Sequence, residues 1–198
     1  RQGGFVRMLA YSGIAQAGTM LIGLAALPAQ GGAALTFYLL VYLFMNLGAF
    51  AVVIAVANET GSEEIPAYAG LAQRAPWLAA LLTFFLLSLI GIPPTAGFIG
   101  KLYLFLAAIR GEQPVLLAAA IAMAVNSAIS AYYYLNVAKF MYLREGDQKT
   151  ALATSRPLAW SLFVTAAATL GIFLWAQPFI DLAQLAASAS TLLHGVQP

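Results

Sequence analysis

Residues 81–105 read LLTFFLLSLIGIPPTAGFIGKLYLF, and this stretch decides the architecture. An apolar run from Trp77 to Ile109 would make one α-helix roughly 50 Å long, well beyond the ~30 Å hydrocarbon core of a bilayer. Pro93 and Pro94 remove two backbone donors, and Gly91 admits an open turn, so the spacing predicts a span over 77–109 that is discontinuous at Gly91–Thr95. Irregular backbone at membrane depth is tolerated only where protein or a water-lined cavity surrounds it. Lys101 stands six residues beyond that break among Phe98, Ile99, Leu102 and Tyr103. An ionisable side chain at such depth points to function. The remaining helix to Ile109 is about 12 Å long, further than a lysine reaches, so Lys101 is expected to stay inside rather than snorkel.

Composition agrees with this reading. Hydrophobic residues make up 62% of the 198, charged residues only 8%, and the mean hydropathy is +0.86. A soluble domain carries about 25% charged residues, so the chain reads as an all-α integral membrane protein. The net charge of +2 gives no reason to invoke nucleic acid, since the cations flank apolar spans. Cysteine is absent, which excludes disulfides, thiolate metal sites and thiol nucleophiles. The single histidine, His194, has no nearby carboxylate and builds no metal site.

On either side of the central stretch the apolar pattern predicts further spans at about 8–27, 35–58, 115–142 and 158–179, giving five in all. They form a single bundle over 1–180, followed by a surface tail over 181–198. In the first span Ser12, Gln16 and Thr19 share a helix face, either packing against neighbours or lining a wet path. Asn46 in the second span must find a partner within the protein. Glu59, Glu63, Glu64 and Arg74 belong to a solvated loop. In the fourth span Asn126, Ser130 and Tyr134 recur every four residues, with Ser127 beside them, and such a polar stripe turns inward, for hydrogen bonding or for protons. Trp160 and Trp175 read as interface anchors of the fifth. Five spans place Arg1, Arg7, Arg74, Lys139, Arg144, Lys149 and Arg156 on one side and only Arg110 on the other, which predicts a cytoplasmic N-terminus and a C-terminus on the opposite side.

Four stretches carry a family resemblance: RMLAYSGIAQAG at 7–18, YLFMNLGAFAVVIAV at 42–56, SLIGIPPTAGFIGKLYLF at 88–105 and YYYLNVAKFMY at 132–142. With the linker IPAYAGLAQRAPWLA at 65–79, they resemble the antiporter-like proton-translocating subunits of respiratory complex I (NADH-quinone oxidoreductase), and most closely the N-type subunit. The resemblance implies a fourteen-helix fold of which these are the last five, a discontinuous helix broken at Gly91, Pro93 and Pro94, and Lys101 as its proton-pathway residue. It further implies a bacterial inner membrane or another energy-transducing membrane, neighbouring antiporter-like subunits as partners, and no cofactor in this chain. NADH, FMN, iron–sulfur clusters and quinone would belong to partner subunits. Two positions depart from the family. Val6 stands where a basic residue is usual, and Gln16 where a histidine is frequent. The family's glutamate and two lysines on earlier helices have no counterpart in these 198 residues. A free-standing cation/proton antiporter and a structural membrane module remain the competing readings.

Overall fold

The computed structural model describes residues 4–27, 30–146, 152 and 154–194, the side chains of 190–194 excepted. Arg1, Lys149, the side chain of His194 and residues 195–198 therefore lie outside the described part. All regular structure within it is helical: α1 (Phe5–Ala25), α2 (Gly31–Thr60), a 3-10 turn (Ile65–Tyr68), α3 (Leu71–Arg74), α4 (Pro76–Ile90), α5 (Ala96–Arg110), α6 (Pro114–Leu143), α7 (Arg156–Leu174) and α8 (Ala176–His194). Four of them, α1, α2, α6 and α7, are long and apolar enough to cross a membrane. The expected fifth helix over 158–179 is divided, because α7 stops at Leu174, Trp175 leaves helical geometry and α8 starts at Ala176.

The 30-residue α2 is the hub. It is apolar on all sides, packing against α1, α4, α5, α7 and α8 and leaving Leu39, Leu43, Leu47 and Ile54 exposed, as a membrane helix with a lipid-facing stripe does. The second long helix, α6, lies across α1, α4 and α5. Phe37, Tyr38, Val41, Met45, Ala49, Val52 and Val56 of α2 are buried among Leu78, Leu82, Phe85 and Leu89 of α4 and Leu104 of α5.

The chain alternates between two ends of this bundle. At one end the backbone N–H of Phe5 donates to the Glu63 carbonyl at 2.8 Å and that of Gly70 to the Phe140 carbonyl at 3.4 Å, which gathers the start of α1, the 61–75 connection and the finish of α6. At the other end Arg110 Nη1 donates to Gln30 Oε1 at 2.8 Å, joining the α1–α2 turn to the α5–α6 turn. Among the described residues Arg7, Arg74, Lys139, Arg144 and Arg156 stand at or beyond the first end and Arg110 at the second.

Between α4 and α5 the chain leaves helical geometry from Gly91 to Thr95. Gly91 has φ +86°, and its N–H and that of Ile92 both donate to the Leu87 carbonyl, at 3.0 and 3.1 Å. A left-handed glycine is a common way to stop a helix. Thr95 starts the next one: its Oγ1 accepts the N–H of Phe98 at 3.4 Å, as a helix N-cap does. At 15 residues each, α4 and α5 are about 22 Å long, so neither spans a ~30 Å core alone.

Candidate functional site

The site follows from the two prolines. In an unbroken helix the carbonyl of residue i accepts the N–H of residue i+4. The acceptor positions four residues before Pro93 and Pro94 are Leu89 and Ile90, and proline has no N–H to give. The last two residues of α4 therefore carry carbonyls whose partners were removed by the sequence itself, inside a core where Leu89 is 1% and Ile90 4% exposed. Unpaired carbonyls at that depth are costly, and together they carry the negative end of the helix dipole.

Lys101 supplies the missing donors. Side chains on a helix lean toward its N-terminus, so a lysine early in α5 reaches back to the end of α4. Its Nζ donates to the Leu89 carbonyl at 2.9 Å, to the Ile90 carbonyl at 2.9 Å and to Ser127 Oγ of α6 at 3.0 Å. An ammonium has three hydrogens and these three acceptors use them all. Lys101 is 8% exposed, and every one of these partners is neutral. Gly91 makes the approach possible, since a Cβ there would meet Lys101 Cδ at 2.8 Å.

Gln16 of α1 shares one of those acceptors. Its Nε2 donates to the Leu89 carbonyl at 3.0 Å, and its Oε1 accepts the Tyr38 hydroxyl of α2 at 2.5 Å. A carbonyl can only accept, so the amide nitrogen must face Leu89, and this fixes the direction of the whole row. Ser88, one residue earlier, ties the two short helices: its Oγ accepts the N–H of Gly97 at 3.2 Å and donates to Met45 Sδ at 3.4 Å.

The other residues singled out in the sequence are distributed around this centre. Ser12 and Tyr134 hydrogen-bond each other across α1 and α6. Ser130 turns its hydroxyl onto the Ser127 carbonyl of its own helix at 2.8 Å, and Thr19 onto the Ala15 carbonyl at 3.2 Å. Asn126 lines a cavity of about 330 Å³ between α1 and α6, with Ala15, Gly18, Thr19, Ile22, Ala119, Ala122 and Met123. Thus Lys101 and Gln16 meet at the Leu89 carbonyl, Ser127 and Gly91 lie against the lysine, and the proline pair stays exposed beyond them. Sequence reasoning underrated Ser127 and did not single out Tyr38 or the two carbonyls. The carbonyls could have been found by counting four residues back from each proline.

A bundle of apolar helices, four of them long and apolar enough to cross a membrane, is the fold of a multi-pass membrane protein. The family described as NADH:quinone oxidoreductase/Mrp antiporter, transmembrane, matches residues 1–130, and the chain belongs to it. It is 43% identical over 183 residues to the NADH-quinone oxidoreductase subunit N of Heliobacterium modesticaldum, covering 92% of this chain and 38% of that relative. Over 153 residues it is 49% identical to a subunit N of Sorangium cellulosum, covering 77% of this chain and 30% of the relative. The chain thus spans about two fifths or less of the curated relatives it matches.

Among solved structures it is similar to the membrane-bound sulfane sulfur reductase, an archaeal respiratory membrane complex, with a TM-score of 0.82 and 26% identity over 95% of this chain and 38% of that one. Respiratory complex I from Thermus thermophilus gives 0.73 and 29%, over 91% of this chain and 40% of that one. The Mrp complex from Dietzia sp., at 0.78 and 24% identity over 91% and 41%, shares the fold.

Proposed function

We propose that this chain is part of a proton-translocating membrane subunit of a NADH-quinone oxidoreductase, with α4, the 91–95 interruption and α5 acting as one discontinuous membrane-crossing element and Lys101 as the residue that holds and releases the proton. The observation that carries this is the Lys101 ammonium held by two carbonyls that prolines have left without partners. Such a seat is built for a cation yet contains no fixed counter-charge among the described residues, so binding a proton and losing it there are not separated by the rupture of a buried ion pair, which costs about 3–5 kcal/mol. Lysine suits the task because it can part with its proton, whereas arginine stays protonated in proteins.

On this reading the redox chemistry and its NADH, FMN, iron–sulfur clusters and quinone reside in partner subunits, and this chain sits beside other antiporter-like subunits in an energy-transducing membrane, the bacterial inner membrane, with the N-terminal end of α1 toward the cytoplasm. A second reading, a cation/proton antiporter subunit, has support from the family description, which includes Mrp antiporters. The two named relatives, at 43% and 49% identity, favour the first.

In the assembled complex, Lys101→Met and Lys101→Arg should both lower the number of protons pumped per electron passed to quinone while leaving assembly intact. Wild-type pumping by Lys101→Met would remove Lys101 from the proton path. Sodium-driven pH changes in vesicles lacking the redox arm would favour the antiporter instead.

A further inference from the structure

The three partners of Lys101 differ in one chemical respect. The carbonyls of Leu89 and Ile90 accept hydrogen bonds and have no proton to pass on. Leu89 is in addition approached from two sides, by Lys101 Nζ at 2.9 Å and by Gln16 Nε2 at 3.0 Å, with both donors pointing their hydrogens at the same oxygen. That arrangement is a dead end for a proton. The row Tyr38–Gln16–Leu89 positions the carbonyl but cannot conduct, because an amide hands on a proton only by passing through its imidic acid form. Ser127 is the exception. Its hydroxyl accepts at one lone pair and donates through its own hydrogen.

When Lys101 is an ammonium, the Ser127 oxygen receives the Nζ–H at 3.0 Å and its own hydrogen is turned elsewhere. Ser127 is half-buried, next to Asn126 and one helical turn from Met123, both of which line the cavity between α1 and α6. That cavity is an open groove with a mainly apolar lining in which Asn126 and Thr19 are the polar members, and Ser127 lies beside it rather than in its lining. On the other side, Ser130 has committed its hydrogen to the Ser127 carbonyl. Ser12 and Tyr134 bond each other, and no hydrogen bond among the described residues joins that pair to Lys101.

We infer that Ser127 is the proton-exchange partner of Lys101, passing protons between its amine and water that reaches the half-buried Ser127 hydroxyl, while Gln16 is a positioning residue that does not carry them. In the step, an Nζ–H bond of Lys101 breaks and the proton joins Ser127 Oγ as the Ser127 hydrogen leaves to a water oxygen. The amine becomes neutral, the serine hydroxyl is restored and the water carries the charge away; loading is the reverse. This inference rests on the proposed role of Lys101.

The test uses the assembled complex and compares Ser127→Ala, Ser127→Thr and Ser127→Asn, with Lys101→Met as the reference, reading proton-pumping rate, protons per electron and the solvent deuterium isotope effect on pumping. Thr keeps an amphoteric hydroxyl and should pump within about twofold of wild type, whereas Ala and Asn should slow pumping by at least about tenfold, the loss of one proton-transfer group. Asn decides between relay and anchor, because its carbonyl can still hold the ammonium but its amide does not hand a proton on. Wild-type pumping and an unchanged isotope effect in Ser127→Asn would overturn the inference, as would wild-type pumping in Ser127→Ala. Should Ser127→Ala not assemble, the Thr and Asn pair decides alone. If Lys101→Met itself pumps normally, it is the proposed function that fails; if Lys101→Met is impaired and Ser127→Asn is not, only the role of Ser127 is lost.

Discussion

Gly91 answers to two demands at once. Its φ of +86° lies where a Cβ is disfavoured by roughly 1–2 kcal/mol, and the space a Cβ would take is occupied by Lys101 Cδ. Gly91→Ala should therefore lower thermal stability by about 2 kcal/mol and also reduce pumping, because the lysine stem must move away from the Leu89 and Ile90 carbonyls. A calorimetric or fluorescence melt of the solubilised protein, paired with a pumping assay, checks both. Gly91, the prolines and Lys101 stand out in residues 81–105 because proline chemistry acts locally and can be counted along the chain. What that stretch could not supply was Ser127 or Tyr38. Their hydroxyls reach the lysine or Gln16 only through the packing of α6 and α2, and one polar residue among several on a long apolar helix carries no mark of which neighbour it will meet.

The joint between α4 and α5 is held as closely as a helix crossing. A Cβ on Gly97 would collide with the Ser88 carbonyl, and the Gly97 N–H donates to the Ser88 hydroxyl. Gly97→Ala should force the two helices apart and cost about 1–3 kcal/mol, visible as a lowered melting temperature, while Ser88→Ala, which loses one hydrogen bond, should cost about 1 kcal/mol. The connection before α4 offers a contrast. Tyr68 packs edge-on against Phe5 with ring centroids 4.9 Å apart, and its hydroxyl is buried without a hydrogen-bond partner among the described residues. Tyr68→Phe keeps the ring and removes the unpaired group, so stability should hold or rise by up to about 1 kcal/mol, whereas Tyr68→Ala should lose about 3–5 kcal/mol. Burial, and then the nearby Glu63 carboxylate, hold the Tyr68 phenol above its ordinary value. A group whose folded pKa is raised contributes fully below its unfolded value, near 10. That contribution declines as pH rises beyond it, and melts above pH 10 should show a loss in wild type that Tyr68→Phe lacks.

Orientation belongs to the assembled bundle. The hydrogen bonds Phe5–Glu63 and Gly70–Phe140 gather one set of connections at the end rich in Arg and Lys, and Arg110–Gln30 marks the opposite end. Cysteines in place of Glu63 and Glu145, both exposed, should react with a membrane-impermeant reagent from the cytoplasmic side, and one in place of Gln113 should not. Labelling of all three from one side would contradict the topology. Helix alternation was legible because apolar length is a strong signal. The separation of α7 from α8 was overlooked because the apolar pattern runs through Trp175, although Pro178 stands four residues after Leu174 and has no N–H for its carbonyl.

The two carbonyls that the prolines leave open also make this chain readable by light. A carbonyl that accepts a hydrogen bond from an ammonium vibrates at lower frequency than one facing a neutral amine, and Leu89 and Ile90 are the backbone groups placed to feel that difference. With ¹³C=O labels at positions 89 and 90, infrared difference spectra recorded during turnover should show paired bands that rise and fall with the charge on Lys101 and vanish in Lys101→Met. The same label at Leu87, whose carbonyl is already engaged by the N–H groups of Gly91 and Ile92, should stay silent.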